Sequence, residues 1–412
     1  MSGRLAQVSN LVPKWTGTAF MMESSLHFRA IQNKLTPELY KYLNLARSEL
    51  DYGWHLDVPQ PDDWMEVNPQ HIIRMLIARI SATVFVGHPL CRDPKWLRIS
   101  IEFALDTFAS AFIMRLFPPW SHGLIAHLLP QRYSQQRQLR IARTIVKPLM
   151  DKHRDAVKRR QAGEEVEEED TLMHWMMDNA TDKENSLQEM SDRQCILTLA
   201  SIHTTTQGIA NLLVDLCSHP EWFPVLREEI ADIANEFGKI GDTEASLRQW
   251  IPRLEKMDSF LTESQRIHPP ILINPTRVAV QDHTFKDGTF VPAGSKVGFP
   301  GFEHQNDPAV IPNPDTFDPM RNYRKRHAAP EQMNKFLAGQ THPDNLTFGY
   351  GSQACPGRQF AVAETKLILL RLISEYDFKL VEGKPKPRTL YAGDNVFLDP
   401  ESTLMMRKRV LF

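Results

Sequence analysis

No run of eighteen or more apolar residues occurs anywhere in this 412-residue chain. No stretch therefore reads as a transmembrane helix, and the N-terminus MSGRLAQVSN lacks a secretory h-region. Cysteine is scarce. The four present, Cys91, Cys195, Cys217 and Cys355, are too few and too irregularly spaced for a disulfide framework or a Cys-x-x-Cys zinc site, which points to a reducing compartment. Neither sign of charge dominates: 48 Lys plus Arg stand against 50 Asp plus Glu, so net charge offers no reason to expect nucleic acid as a partner. There is no internal repeat and no low-complexity linker beyond GEEVEEED at 163–170, an acidic run that reads as a solvated loop without function. The length suffices for a large core and alone would suggest two or three domains.

What the chain does have is one organising stretch, FGYGSQACPGR from Phe348 to Arg358, followed directly by an apolar helix-forming segment from Phe360 to Leu372. Cys355 is thus expected at the start of a helix, where unpaired N–H groups and the helix dipole favour a thiolate. Gly351 and Gly357 permit turns that let a flat cofactor approach closely, and Phe348 can shield the sulfur from water. A lone cysteine is ordinarily a buried thiol. Phe, Gly, Cys, Gly and Arg at these offsets, however, arise by chance on the order of once in ten million windows.

A second stretch breaks local rules. Ser191-Asp192-Arg193-Gln194 matches a capping box and opens a helical pattern that ends at His219-Pro220, roughly 42 Å long at 1.5 Å per residue. In its middle, Ser201, His203, Thr204, Thr205 and Thr206 are indifferent helix formers between two apolar runs, a conflict expected at functional sites. Further on, RLEKMDSFLTESQRIHPP reads as a helix with Glu263 and Arg266 three apart, by itself an ordinary ion pair.

Together these features resemble the cytochrome P450 family of haem-thiolate monooxygenases. Phe348 to Arg358 resembles the family's haem-binding loop F-x-x-G-x-x-x-C-x-G-R, which implies haem b with Cys355 as the axial iron ligand. Phe348 and Gln353 belong to that loop, Gln353 standing where the family commonly has His or Arg near a haem propionate. Ala200 to Thr205 resembles the oxygen-activation motif A-G-x-D/E-T-T. The resemblance makes Thr204 the hydroxyl that helps deliver protons, with His203 in place of the usual acid as a proton relay. Glu263-x-x-Arg266 resembles the family's E-x-x-R, completed by Arg321 after Pro319, with Asn322 where Phe is usual. Arg277 falls where the family commonly places a propionate-binding arginine, and Ile271, Ile273, Val396 and Phe397 lie in segments that border its substrate cavity.

The expected fold is mainly α with a smaller β-rich part, residues 1–412 forming a single haem-thiolate monooxygenase domain. Compared with the family's usual length, an N-terminal portion on the order of a hundred residues, with the anchor and first helices and strands, is expected to be missing. Residues 24–50 read as helical with Thr36-Pro37 as cap; there His27 and Arg29 are either stand-ins for propionate contacts or an exposed polar face. PQHIIRMLIARISATVFVG at 69–87 reads as a core helix. A basic helix ends near Arg160, and 277–299 reads as short strands with turns at Asp287-Gly288 and Pro292-Ala293-Gly294. Phe103, Phe108, Phe112, Phe117 and Trp120 read singly as core; in the family their region lies over the substrate pocket, often touching the membrane.

The implied activity is insertion of one oxygen atom from O₂ into a large apolar small molecule, of terpenoid or indole-terpenoid type in fungal secondary metabolism. Electrons come from NADPH through a flavoprotein reductase, which the basic group Arg321, Arg324, Lys325 and Arg326 would attract. Localisation by resemblance is the cytosolic face of the endoplasmic reticulum membrane, or the cytoplasm without an anchor. The alternatives are a haem-binding remnant without turnover and a haem-thiolate isomerase or dehydratase, against which Thr204 argues.

Overall fold

The computed structural model describes residues 2, 6, 10–240 and 244–409. Helices dominate. Those used below are α1 (Leu39–Asp57), α2 (Pro69–Phe85), α3 (Pro94–Arg115), α4 (Pro130–Gln161), α5 (Leu172–Asp178), α6 (Leu187–Ser218), α7 (Trp222–Phe237), α8 (Glu244–Arg253), α9 (Glu255–Ile267) and α10 (Arg358–Glu375). The strands are short: β1 (Met65–Val67), β2 (Thr276–Val278), β3 (His283–Thr284), β4 (Phe290–Val291), β5 (Lys296–Gly298), β6 (Tyr376–Lys379), β7 (Thr389–Ala392), β8 (Asn395–Leu398) and β9 (Leu404–Lys408). The fold is mainly α with small sheets, as the sequence predicts.

The chain divides into two compact units. The first comprises Met1–Pro37, Ala78–His203 and Thr276–Val297. Its centre is α3 packed along α4. Asp93 caps α3 by accepting from the N–H of Lys95, and Pro94 starts the first turn. Gln135 and Gln138 of α4 donate to Thr107 Oγ1 at 2.6 Å and Asp106 Oδ2 at 3.0 Å, joining the two helices where apolar packing alone would leave polar groups buried. β2 lies beside β5, and β3 pairs antiparallel with β4 about the expected Asp287-Gly288 turn.

Three expectations in this unit need correction. Trp96 and Phe103 are core, but Phe108, Phe112, Phe117 and Trp120 are exposed, Trp120 by 87%. His27 is buried beside Phe20 and Phe28, not on an exposed polar face, and Arg29 lies 3.7 Å from Glu184. The acidic run is not wholly solvated: Glu168 is drawn inward to His153 at 2.8 Å.

The second unit comprises Glu38–Ile77, Thr204–Pro275 and Gly298–Phe412. Here α10 is the buried axis, with α1, α7 and α8 against it. Arg371 of α10 lies over the Trp54 ring at 4.2 Å, and Trp54 Nε1–H donates to Glu375 at 2.7 Å. An antiparallel sheet ordered β1-β9-β6 and a β7–β8 hairpin complete the unit.

Helix boundaries shift where caps compete. α6 starts at Leu187, a turn before the expected capping box, because Ser186 Oγ accepts from the N–H of Glu189 at 3.3 Å. Ser186-x-x-Glu189 does the capping, and Ser191 is buried inside the helix. α1 starts at Leu39, since Ile31–Leu35 forms a π-turn whose carbonyl of Ile31 accepts from the N–H of Thr36.

Candidate active site

The Cys355 loop is held by its own backbone. The N–H of Cys355 donates to the carbonyl of Phe348 at 2.8 Å, and Ala354 N–H donates to Gly351 at 3.1 Å. Gly349 and Gly351 adopt φ of +74° and +70°, a region in which a β-carbon is strained, so the turn requires glycine at both. Arg358, in the first turn of α10, donates through Nη1 to the carbonyl of Cys355 at 2.8 Å and through Nε to that of Gly339 at 3.1 Å.

Two contacts that local pattern did not reveal fix the loop from outside. Asn274 Nδ2 donates to the carbonyl of Leu346 at 2.9 Å, and Gln305 Oε1 accepts from the N–H of Leu346 at 2.6 Å. Both side chains belong to unremarkable stretches of sequence; only a buried backbone group needing a partner singles them out.

Cys355 is half-buried. Burial pushes its pKa up, opposed by the N–H groups of Gly357 and Arg358 directed at the sulfur and by the Arg358 charge. Cys217, by contrast, is pushed up to about 12 by burial with nothing opposing it. Cys91 and Cys195 are buried as well. Cys355 is therefore the cysteine best placed to act as a thiolate ligand.

Behind the loop, the expected ion network is present. Arg266 donates to both oxygens of Glu263 at 2.7 and 3.0 Å, Arg321 Nε lies 3.3 Å from Oε2, and Asp318 N–H donates to Oε1 at 3.0 Å. All three charged side chains are at most 10% exposed, so each charge depends on the others. This removes Arg321 from any docking patch, and Arg326 is also buried, against Glu255. Of the four basic groups, Arg324, paired with Asp318, and Lys325 remain outside these buried pairs.

On α6, His203 Nε2–H donates to the carbonyl of Ile101 on α3 at 3.0 Å. Thr204 is exposed although Thr205 and Thr206 beside it are buried. A β-carbon at Gly208, one turn on, would meet nothing within 4 Å, so this helix face borders open space. Gln207 donates to the carbonyl of Val396 on β8, and Val396 N–H donates to Pro270 at 3.0 Å. The side chain of Val396 is buried, while Ile271 and Ile273 are exposed by 40% and 42%. Phe348 is half-buried and Gln353 exposed in the same loop as Cys355; Arg277 sits half-buried on β2, donating to the carbonyl of Thr276 at 2.8 Å.

The match to known proteins agrees with this geometry. A family model described as Cytochrome P450 matches residues 13–406. The chain belongs to the cytochrome P450 family. It is 43% identical over 409 residues to cytochrome P450 monooxygenase ATR4 of Stachybotrys chlorohalonatus, covering 99% of this chain and 77% of that one. It is 34% identical over 409 residues to an ent-kaurene oxidase of Gibberella intermedia, covering 98% and 74%. In fold it is similar to retinoic acid bound cyanobacterial CYP120A1, with a TM-score of 0.68 at 20% identity over 97% of this chain and 82% of that one. Oxidoreductase chemistry of the monooxygenase class follows from the family.

P450s imply haem iron, and the residues present fit it. A half-buried cysteine sulfur held just before the N-terminus of α10 is a donor suited to iron. β-carbons at Gly351 and Gly357 would meet nothing within 4 Å, which leaves room beside the loop for a flat group.

Proposed function

We propose that this P450 inserts one oxygen atom of O₂ into a large apolar substrate of terpenoid or indole-terpenoid type in secondary metabolism. Residues 1–412 act in this reading as one monooxygenase domain, and an NADPH-dependent flavoprotein reductase supplies electrons. The observation that carries it is Cys355 in its glycine turn just before α10, its N–H bonded to the carbonyl of Phe348 and its carbonyl held by Arg358. The ent-kaurene oxidase relative supports a terpenoid substrate class.

Haem bound through Cys355 supplies the oxygen-activating iron. The N–H groups of Gly357 and Arg358 offset part of what burial costs a thiolate at Cys355. Arg277 and Gln353 would be the N–H donors available to haem propionates, and Phe348 would shield the sulfur from water. Thr204, exposed on α6, would supply the hydroxyl that helps deliver protons. His203, held by its Nε2–H on the carbonyl of Ile101, would serve as the proton relay beside Thr204. Exposed Ile271 and Ile273 give the substrate an apolar wall.

Leu116, Trp120, Leu124 and Leu128, exposed by 66 to 87%, form an apolar surface that suits the cytosolic face of the endoplasmic reticulum membrane. No helix of the described residues is long and apolar enough to cross a membrane.

The test is the carbon monoxide difference spectrum of the reduced chain. A thiolate-type band lost in Cys355→Ala, with product formation dependent on reductase and O₂, is expected. An imidazole-type band would refute the ligand assignment, and product formed without reductase would refute the monooxygenase reaction.

A further inference from the structure

Away from the Cys355 loop, the first unit gathers a second set of ligand-type side chains. His153 lies near the end of α4, Glu168 in the acidic run that follows, and His174 in the first turn of α5, which Thr171 caps by accepting from the N–H of His174 at 3.2 Å. One ligand atom from each lies within 4.8 Å of the others. Their side chains are 3%, 7% and 13% exposed.

The outer nitrogen of each ring is already tied. His153 Nε2 faces Asp178 Oδ1 at 2.9 Å, and His174 Nδ1–H donates to the carbonyl of Glu169 at 2.7 Å. The inner nitrogens turn to the same carboxylate: His153 Nδ1 is 2.8 Å from Glu168 Oε2 and His174 Nε2 is 3.7 Å from Oε1. Oε1 is buried and accepts no hydrogen bond. A histidine whose far nitrogen is held by a carboxylate or carbonyl is the arrangement that fixes the tautomer of a metal ligand.

We propose that His153 Nδ1, Glu168 Oε1 and His174 Nε2 bind one divalent first-row transition ion, zinc foremost, joining the end of α4 to the start of α5. Two imidazoles with one carboxylate, and a water in the fourth position, suit zinc and not the all-oxygen shells of calcium or magnesium. The rings stack at 4.3 Å and 6°, so one must turn out of the stack for both lone pairs to meet a common point. Arg160 donates to Glu168 Oε2 at 3.0 Å, leaving Oε1 to the ion. A surface recess lined by Lys152, Arg160, Val166 and Glu167 to Glu169 gives it an entry path.

The test is competition between the haem-loaded chain and a chromophoric zinc chelator. One zinc per chain is expected, with affinity reduced at least tenfold in His174→Gln and in Glu168→Gln, and about tenfold in Asp178→Asn. His71→Gln, an exposed histidine elsewhere, should bind as wild type. Zinc-edge X-ray absorption on the wild-type chain needs no variant to fold, and a shell with two imidazoles at about 2.0 Å is expected. No uptake, uptake that both ligand variants leave unchanged, or a shell without imidazole overturns the proposal.

Discussion

Arg321 reaches Glu263 across 58 positions of sequence and places Nε 3.3 Å from a carboxylate that is 3% exposed. Arg266 holds the other side of the same carboxylate, and Asp318 N–H caps it. Breaking such a group leaves charges buried without partners. Glu263→Gln is expected to destabilise the chain by about 3–5 kcal/mol, since both arginines lose their counter-charge. Thermal unfolding together with the carbon monoxide spectrum checks this; unchanged values in both would show that the network is dispensable.

Thr204→Ala should lower product formation by about a hundredfold while leaving haem content intact, because it removes the hydroxyl of an exposed side chain and opens no core cavity. Thr204→Ser, which keeps the hydroxyl, should restore most of the rate. Equal losses in the two variants would assign Thr204 to packing.

Glu364 on α10 is 1% exposed, its Oε1 has no hydrogen-bond partner, and burial pushes its pKa up to about 8 from an ordinary 4.5. The folded state therefore holds a proton that the unfolded state releases above pH ~4.5, so stability should fall as pH rises from there to about 8. Glu364→Gln removes the ionisation and should flatten this slope, leaving the variant the more stable at pH 8. Melting temperatures of both chains at pH 5 and pH 8 decide it. A parallel shift of both curves would contradict the assignment.

Replacing Trp120 and Leu124 with serine should weaken co-flotation with lipid vesicles and leave the haem spectrum unaltered, since both side chains are exposed and outside the Cys355 loop. Flotation equal to wild type would move the lipid contact elsewhere.

Much of the site was legible because its signals are local. The turn glycines, the cysteine and the arginine of the loop lie within eleven residues, and the start of α10 directly after them follows from the apolar run. Glu263 and Arg266 are one helical turn apart, so their meeting needs only a helix. The false start of α6 has an equally local cause: two Ser-led caps lie five residues apart, and burial of Ser191 decided between them. Exposure was the least legible quantity. Phe103 and Phe108 share a helix and a residue type, yet one is buried and the other exposed.

The sequence by itself determined the family, the thiolate candidate, the polar notch in α6 and the mainly helical fold, since each rests on residues close together in the chain. Tertiary structure alone decided which distant groups meet: Asn274 at Leu346 across 72 positions, Gln207 at Val396 across 189, and Glu168 turned inward to His153 and His174. A buried carbonyl or carboxylate must find a partner, but which one it finds depends on what packing brings within 3 Å.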